Sequence, residues 1–246
     1  MRIKLVIEYD GTHYAGWQRQ LNALSVQEVL ERAFEAASGE LVRIHGAGRT
    51  DAGVHALAQV AHMDTQSTIP PDKICFAMNM HLPPDIRVKS SEKAHDDFHA
   101  RFDAKGKHYR YTIHNAAQAP AIMRHTAAHV RGALNVTAMR EAAAYVLGTH
   151  DFAAFCASGS EVTDTVRTVN SLIITEEEPF IRIDIKGTGF LYHMVRIIAG
   201  TLIEIGQGKR TPASMQSIIA SKDREKAGVT APAKGLTMVS VTYETL

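Results

Sequence analysis

The sequence predicts an α+β chain of two similar sheet-and-helix domains that divide near residue 105. Apolar residues repeat with period 2 in some segments and 3.6 in others, and these segments interleave along the whole chain. The order of elements in the first half recurs in the second, and no low-complexity linker separates the halves, so two tightly packed domains are expected, 1–105 and 106–246.

The first element is a half-buried strand over Lys4–Asp10, with Leu5, Ile7 and Tyr9 alternating against Lys4, Val6 and Glu8 before the turn signal Asp10-Gly11. The clearest helix follows. Ser25 and Glu28 stand in capping-box spacing, Val26, Val29, Leu30, Ala33, Phe34 and Ala37 form one face, and Gly39 closes it. A strand is expected around Val42–Ile44, then a glycine-rich turn at Gly46-Ala47-Gly48 and a paired strand from Leu57 to Met63. Pro70-Pro71 opens a short helix through Met80, and extended structure resumes at Ile86–Val88.

The second half begins with a strand at His108–His114, its Tyr109, Tyr111 and Ile113 sharing one face. A helix over Val136–Leu147 turns Met139, Ala143, Val146 and Leu147 inward and stops at Gly148. Strands at Ser171–Thr175 and Phe180–Lys186 lead to a long apolar helix from about Leu191 to Ile205. Thr211-Pro212 caps another helix, and Leu236–Tyr243 ends the fold as a strand.

At 246 residues and 45% hydrophobic composition the chain can bury a sizeable core. No apolar run reaches the ~18 residues of a membrane span, and the N-terminus enters strand pattern directly, without the apolar region of a signal peptide. A cytoplasmic protein with no membrane partner is the expectation. Cys75 and Cys156 are far apart and read as reduced thiols. The 13 histidines form no metal-ligand spacing, and His95 and His99 span a loop, so no metal site is expected.

The net charge of +1 decides little about a nucleic-acid partner, because a phosphate-binding face needs only local excess. From Phe98 to Arg110 the chain carries Arg101, Lys105, Lys107 and Arg110 against Asp103 alone, interleaved with Phe98, Phe102 and Tyr109. Cations beside aromatic platforms are the pairing that single-stranded RNA contacts use, although a solvated basic loop has the same composition.

The most informative segment is Gly46-Ala47-Gly48-Arg49-Thr50-Asp51-Ala52-Gly53-Val54-His55. Glycines on both sides of Asp51 permit positive φ and close backbone approach, so the loop can present the carboxylate rather than bury it. A turn aspartate bonded to its own backbone is the alternative.

GRTDAGVH resembles the catalytic loop of the tRNA pseudouridine synthase A family, whose pattern is G-R-T-D-x-G-V-H. The likeness continues in order along nearly the whole chain, through Tyr9-Asp10-Gly11, Gly16-Trp17-Gln18, Ser25-Val26-Gln27, Leu82-Pro83 with Asp85-Ile86, Phe98-His99-Ala100-Arg101, Tyr109-Arg110-Tyr111, Phe190 to Arg196 and Ala231 to Leu236. Ala58 and Asn79-Met80-His81 depart from it.

The resemblance implies two ferredoxin-like or RRM-like domains joined into one mixed β-sheet with a central active-site cleft, working as a homodimer without a cofactor. It implies isomerisation of uridine to pseudouridine in the anticodon stem-loop of tRNA, at positions 38, 39 and 40. Asp51 resembles the family's nucleophile, Arg196 the cation that partners it, and Tyr109 the tyrosine that stacks on the target base and helps remove the C5 proton. Arg49 resembles a residue that engages the RNA beside the target nucleotide. Arg101, Lys105, Lys107 and Arg110 are expected to bind the tRNA backbone. Tyr109, between Lys107-His108 and Arg110, is expected on an exposed cleft wall.

These roles suit the chemistry. Moving the glycosidic bond from N1 to C5 needs a carboxylate able to engage an electron-poor carbon, and an arginine keeps that carboxylate ionised in a desolvated site. Two rival classes compete. A non-catalytic RNA-binding protein or RNA chaperone of the same architecture gains nothing from a carboxylate beside phosphates. An aspartyl phosphotransferase usually has a second carboxylate nearby in sequence, and the next one here is Asp64.

Overall fold

The structure is a computed structural model that describes residues 1–159 and 162–244. The chain forms two compact units, Met1–Lys105 with Thr237–Leu246, and Gly106–Leu236. The last strand therefore belongs with the first unit, whereas the sequence places everything after 105 in the second.

In the first unit, strand β1 (Arg2–Tyr9) buries Ile3, Leu5, Ile7 and Tyr9 on one face, as its alternation predicts. Helix α1 (Val26–Ser38) starts where Ser25 Oγ accepts the Glu28 N–H at 3.2 Å and stops at Gly39, φ 73°. Its inward face holds Val26, Leu30, Ala33 and Phe34, but also Gln27 and Glu31. Those two polar residues explain why no strand forms at Val42–Ile44. Glu31 Oε1 accepts the Ile44 N–H at 3.1 Å and Gln27 Nε2 donates to the Ile44 carbonyl at 3.0 Å, so the helix takes the groups a sheet ladder would use.

The strand that does form, β2 (His45–Gly46), is two residues long and pairs antiparallel with β3 (His55–Asp64). A 3-10 turn at Pro71–Lys73 leads into α2 (Ile74–Asn79), and β4 (Ile86–Lys93) completes the run. Strands β1 and β3 pair antiparallel, as do β1 and β4, giving the order β4-β1-β3-β2 of a ferredoxin-like split βαβ unit. Strand β10 (Leu236–Thr242) adds in parallel to the other end of β3, at His55 and Ala56. A bulge shifts the β1–β3 register between Ile7 and Tyr9, which breaks the alternation of β3 and leaves Leu57 exposed.

The second unit repeats the order strand, helix, strand, strand, helix: β5 (Gly106–Asn115), α3 (Val136–Ala144), β8 (Val166–Glu177), β9 (Phe180–Gly187) and α4 (Met194–Gly206). Two short strands escaped the sequence reading, β6 (Ala128–Val130) and β7 (Gly148–Asp151), and the sheet runs β5-β9-β8-β7 with β6 parallel to β5. Helix α3 ends three residues before the expected Leu147. The N–H groups of Tyr145, Val146 and Leu147 reach back three residues instead of four, a tightened last turn that leaves Leu147 exposed before Gly148 turns at φ 99°. Helix α4 begins at Met194 rather than Leu191 because His193 sits at φ 60°. Helix α5 (Ser214–Ser221) begins after Thr211-Pro212, and the Thr211 carbonyl, not its side chain, accepts the Ser214 N–H.

Candidate active site

The 46–55 loop of the first unit owes its shape to residues gripping it from β1 and the segment before α1. Val54 N–H closes a turn on the Asp51 carbonyl at 3.1 Å, and Gly53 stands at φ 77°, donating its N–H to the Tyr14 carbonyl at 3.3 Å. Trp17 N–H donates to the Thr50 carbonyl at 3.0 Å. Thr50 is buried, its hydroxyl 2.7 Å from the Tyr9 hydroxyl, and burial pushes that phenol up to about 12, so it stays protonated for the bond. Gln59 Nε2 fixes the Gly48 carbonyl at 2.9 Å.

Glycine is required at points where this grip is close. A Cβ on Gly16, at φ 90°, would lie 2.5 Å from the Thr50 carbonyl oxygen and 3.1 Å from the Asp51 carbonyl carbon. A Cβ on Gly46 would strike the Trp17 indole at 2.5 Å. The loop thus alternates buried Thr50, Val54 and His55, which anchor it, with exposed Arg49 and half-exposed Asp51, which it presents. The sequence flagged Tyr9, Gly16 and Trp17 only by position, and what they do is hold Thr50, the residue before the aspartate.

In the second unit Tyr109 lies on β5 and is 7% exposed, its ring packed edge-on against Phe190 at 5.4 Å. The expected exposed wall is not found, because Tyr109 shares the inward face of β5 with Tyr111 and Ile113. Arg196 lies in the first turn of α4. It does not snorkel: Nε donates to the Ala231 carbonyl at 2.8 Å, and Ala231 N–H donates to the Arg196 carbonyl at 3.1 Å.

The Ala231 segment is itself fastened. Thr201 Oγ1 accepts the Gly228 N–H at 2.9 Å, Glu204 Oε1 accepts the Val229 N–H at 3.1 Å, and Arg224 bonds the Gly228 carbonyl at 3.0 Å and the Thr230 hydroxyl at 3.1 Å. Burial pushes the Glu204 carboxyl up, but Arg210 at 2.6 Å and the Val229 N–H outweigh it and hold it below the ordinary range. Ala231 to Leu236 was visible as a family motif, but its grip on Arg196 spans 35 residues and had no sequence signal.

The basic segment divides. Arg101 and Lys105 are exposed and Lys107 is half-buried. Arg110 is spoken for by Asp184, at 3.0 and 3.2 Å, beside His108 at 2.6 Å from the same carboxylate. Burial raises the Asp184 carboxyl, and those two partners overcome this and lower it. Among the described residues no group of three or more His, Cys, Asp and Glu side chains is arranged to hold a metal, and no helix is long and apolar enough to cross a membrane.

Comparison with known proteins gives this arrangement a class. The family model described as tRNA pseudouridine synthase matches residues 5–103 and 142–244. The tRNA pseudouridine synthase A of Ruminiclostridium cellulolyticum is 52% identical over 243 residues, covering 98% of this chain and 99% of that one. Those of Acetivibrio thermocellus and Brevibacillus brevis are 50% and 49% identical over 241 and 242 residues, again across 98% of this chain and 99% of theirs. A solved structure, of a Cbf5-Nop10-Gar1 complex, aligns with a TM-score of 0.38 and 11% identity, covering 96% of this chain and 48% of that one, a likeness too slight to carry an argument.

The class is that of isomerases that form pseudouridine in tRNA. The chain belongs to the tRNA pseudouridine synthase family. That membership sets aside both the non-catalytic RNA-binding protein and the phosphotransferase.

Proposed function

We propose that this enzyme isomerises uridines at positions 38, 39 and 40 in the anticodon stem-loop of tRNA, with Asp51 as the nucleophile and no cofactor, as a cytoplasmic homodimer. The observation that carries the reading is the construction of the 46–55 loop, whose anchors hold the residues on either side of a half-exposed aspartate. A turn residue needing only to cap its own backbone would not require such a frame. The anticodon arm, the dimer and the cytoplasm rest on the family resemblance of the sequence.

In this reading the Asp51 carboxylate engages an electron-poor carbon of the uridine, the N1–C1′ bond breaks, and the base turns so that C5 bonds C1′. The C5 proton leaves and N1 takes up a proton, so no net redox change occurs and no co-reactant is consumed. Arg196 keeps Asp51 ionised, and Tyr109, through the small part of its surface the fold leaves open, stacks on the target base while its hydroxyl helps the C5 proton leave. Arg49 engages the RNA beside the target, which must leave its stack to react. Arg101, Lys105 and Lys107 bind phosphates, while Arg110 contributes less because Asp184 already compensates its charge.

The test is Asp51→Asn, which keeps size and most hydrogen bonding. Tritium release from tRNA labelled at uridine C5 should fall below about a thousandth of the wild-type rate, with tRNA affinity within a few-fold. Release above about a tenth of the wild-type rate, in a folded variant, removes Asp51 from the chemistry.

A further inference from the structure

Of the three aromatic residues interleaved with the basic segment, the fold leaves one open. Phe98 packs against Tyr243 and His62, and Tyr109 is buried, but Phe102 is 72% exposed. The Phe102 ring is mostly open to solvent beside Arg101, and hydrogen bonds hold the backbone that presents it. His99 Nδ1 accepts the N–H groups of both Arg101 and Phe102, at 3.1 and 3.3 Å, while the Asp103 carboxylate accepts the His99 N–H at 2.7 Å. Asp103 N–H in turn donates to the His99 carbonyl at 3.1 Å.

Rings back this turn from beneath. The Phe102 ring lies 4.2 Å from that of His99, His99 lies 4.6 Å from His62, and His62 stacks on His45 at 5.1 Å. His62 Nδ1 also accepts the Ala100 N–H at 3.1 Å, tying the turn to β3. The Arg101 guanidinium sits over the Phe102 ring, 5.8 Å from its centroid. Lys105 is exposed three residues on, and the one carboxylate within the turn, Asp103, is occupied by the His99 N–H.

We propose that Phe102, backed by His99 and flanked by Arg101, is a stacking platform for one unpaired base of the RNA, with Arg101 and Lys105 taking the adjoining phosphates. A flat π-face beside a planar cation accepts any base, and a platform held in place before binding loses little freedom when the base arrives. The assignment rests on the tRNA reading of the protein and adds to it a contact that is separate from the Asp51 loop.

Phe102→Trp turns the platform into its own reporter, because the chain has a single tryptophan, Trp17, and it is buried. Adding a short oligouridylate, and separately unmodified tRNA, should quench the emission of the introduced indole as a base stacks on it. Phe102→Ala should bind tRNA about 5- to 100-fold more weakly than wild type. Phe102→Leu, which keeps apolar bulk without a π-face, should be nearly as weak. Because the side chain is mostly in solvent, all three variants are expected to fold.

Unchanged tRNA affinity in Phe102→Ala together with unquenched emission from the Phe102→Trp variant overturns the proposal. So does an emission from that variant that shifts with protein concentration in the absence of RNA, which assigns the surface to a second copy of the chain. Tritium release by the wild-type protein is measured alongside: its absence defeats the isomerase reading without touching the stacking result.

Discussion

Replacing Gly16 with alanine tests the idea that the Asp51 loop is held by close backbone contact. The perturbation has two parts. An L-residue at φ 90° costs about 1–2 kcal/mol of backbone strain. The added methyl also meets the Thr50 carbonyl oxygen at 2.5 Å, and since that atom is backbone, the loop itself must move, an overpacking cost of about 1–3 kcal/mol. The sum is about 2–5 kcal/mol.

Gly39→Ala is the matched control. Gly39 also has a positive φ, 73°, but nothing lies within 4 Å of its missing Cβ, so only the strain of about 1–2 kcal/mol applies. Urea unfolding of both variants should place Gly16→Ala roughly 1–3 kcal/mol below the control. Tritium release should fall in Gly16→Ala at temperatures where it remains folded, and stay near wild type in Gly39→Ala, because only the first displaces the backbone of Thr50 and Asp51. Equal stabilities, or full activity in Gly16→Ala, would refute the claim that this contact positions the aspartate.

His62 makes stability depend on pH. Burial, then the neighbouring His99, His45 and Arg2, push its imidazole down to about 4, against the weaker opposite pull of Asp64. The unfolded chain therefore takes up a proton that the folded one refuses, so stability should be complete above about pH 6.5 and decline as pH falls toward 4, by about 3 kcal/mol if the whole shift is realised. His62→Gln should flatten urea-unfolding free energies across that window, and an unchanged slope would place the titration elsewhere. Arg196→Lys should lose most activity, at least about tenfold, since one ammonium cannot both hold the Ala231 carbonyl and keep a planar fork for a carboxylate; near-wild-type tritium release would show that charge alone suffices. Tyr109→Phe keeps the ring and its edge contact with Phe190, so tRNA binding should stay within about twofold while tritium release drops about tenfold or more, whereas a wild-type rate would reduce Tyr109 to packing.

Local signals determined much of this protein. The alternation of β1, the Ser25 cap and Gly39 stop of α1, and the octapeptide around Asp51 each depend on residues a few positions apart, and each was legible in the sequence. Where local patterns failed, a distant partner had intervened. Gln27 and Glu31 took the backbone of Ile44 and cancelled a strand, β10 paired with the far-off β3 and so joined the first unit, and the burial of Tyr109 on the inward face of β5 overrode its basic neighbours.

The site divides the same way. The sequence proposed Asp51, Arg49 and Arg196 through the family resemblance, because a motif attaches to residue types in order. Only the tertiary structure decided that Gly16 and Trp17 press on the backbone beside the aspartate, that Ala231 clamps Arg196, and that His45, His62 and His99 gather behind Phe102. Those three histidines are separated by 17 and 37 positions, and no periodicity spans such gaps. What brings them together is the pairing of β2 with β3 and the bond from Ala100 to His62, interactions that exist only once the chain has closed on itself.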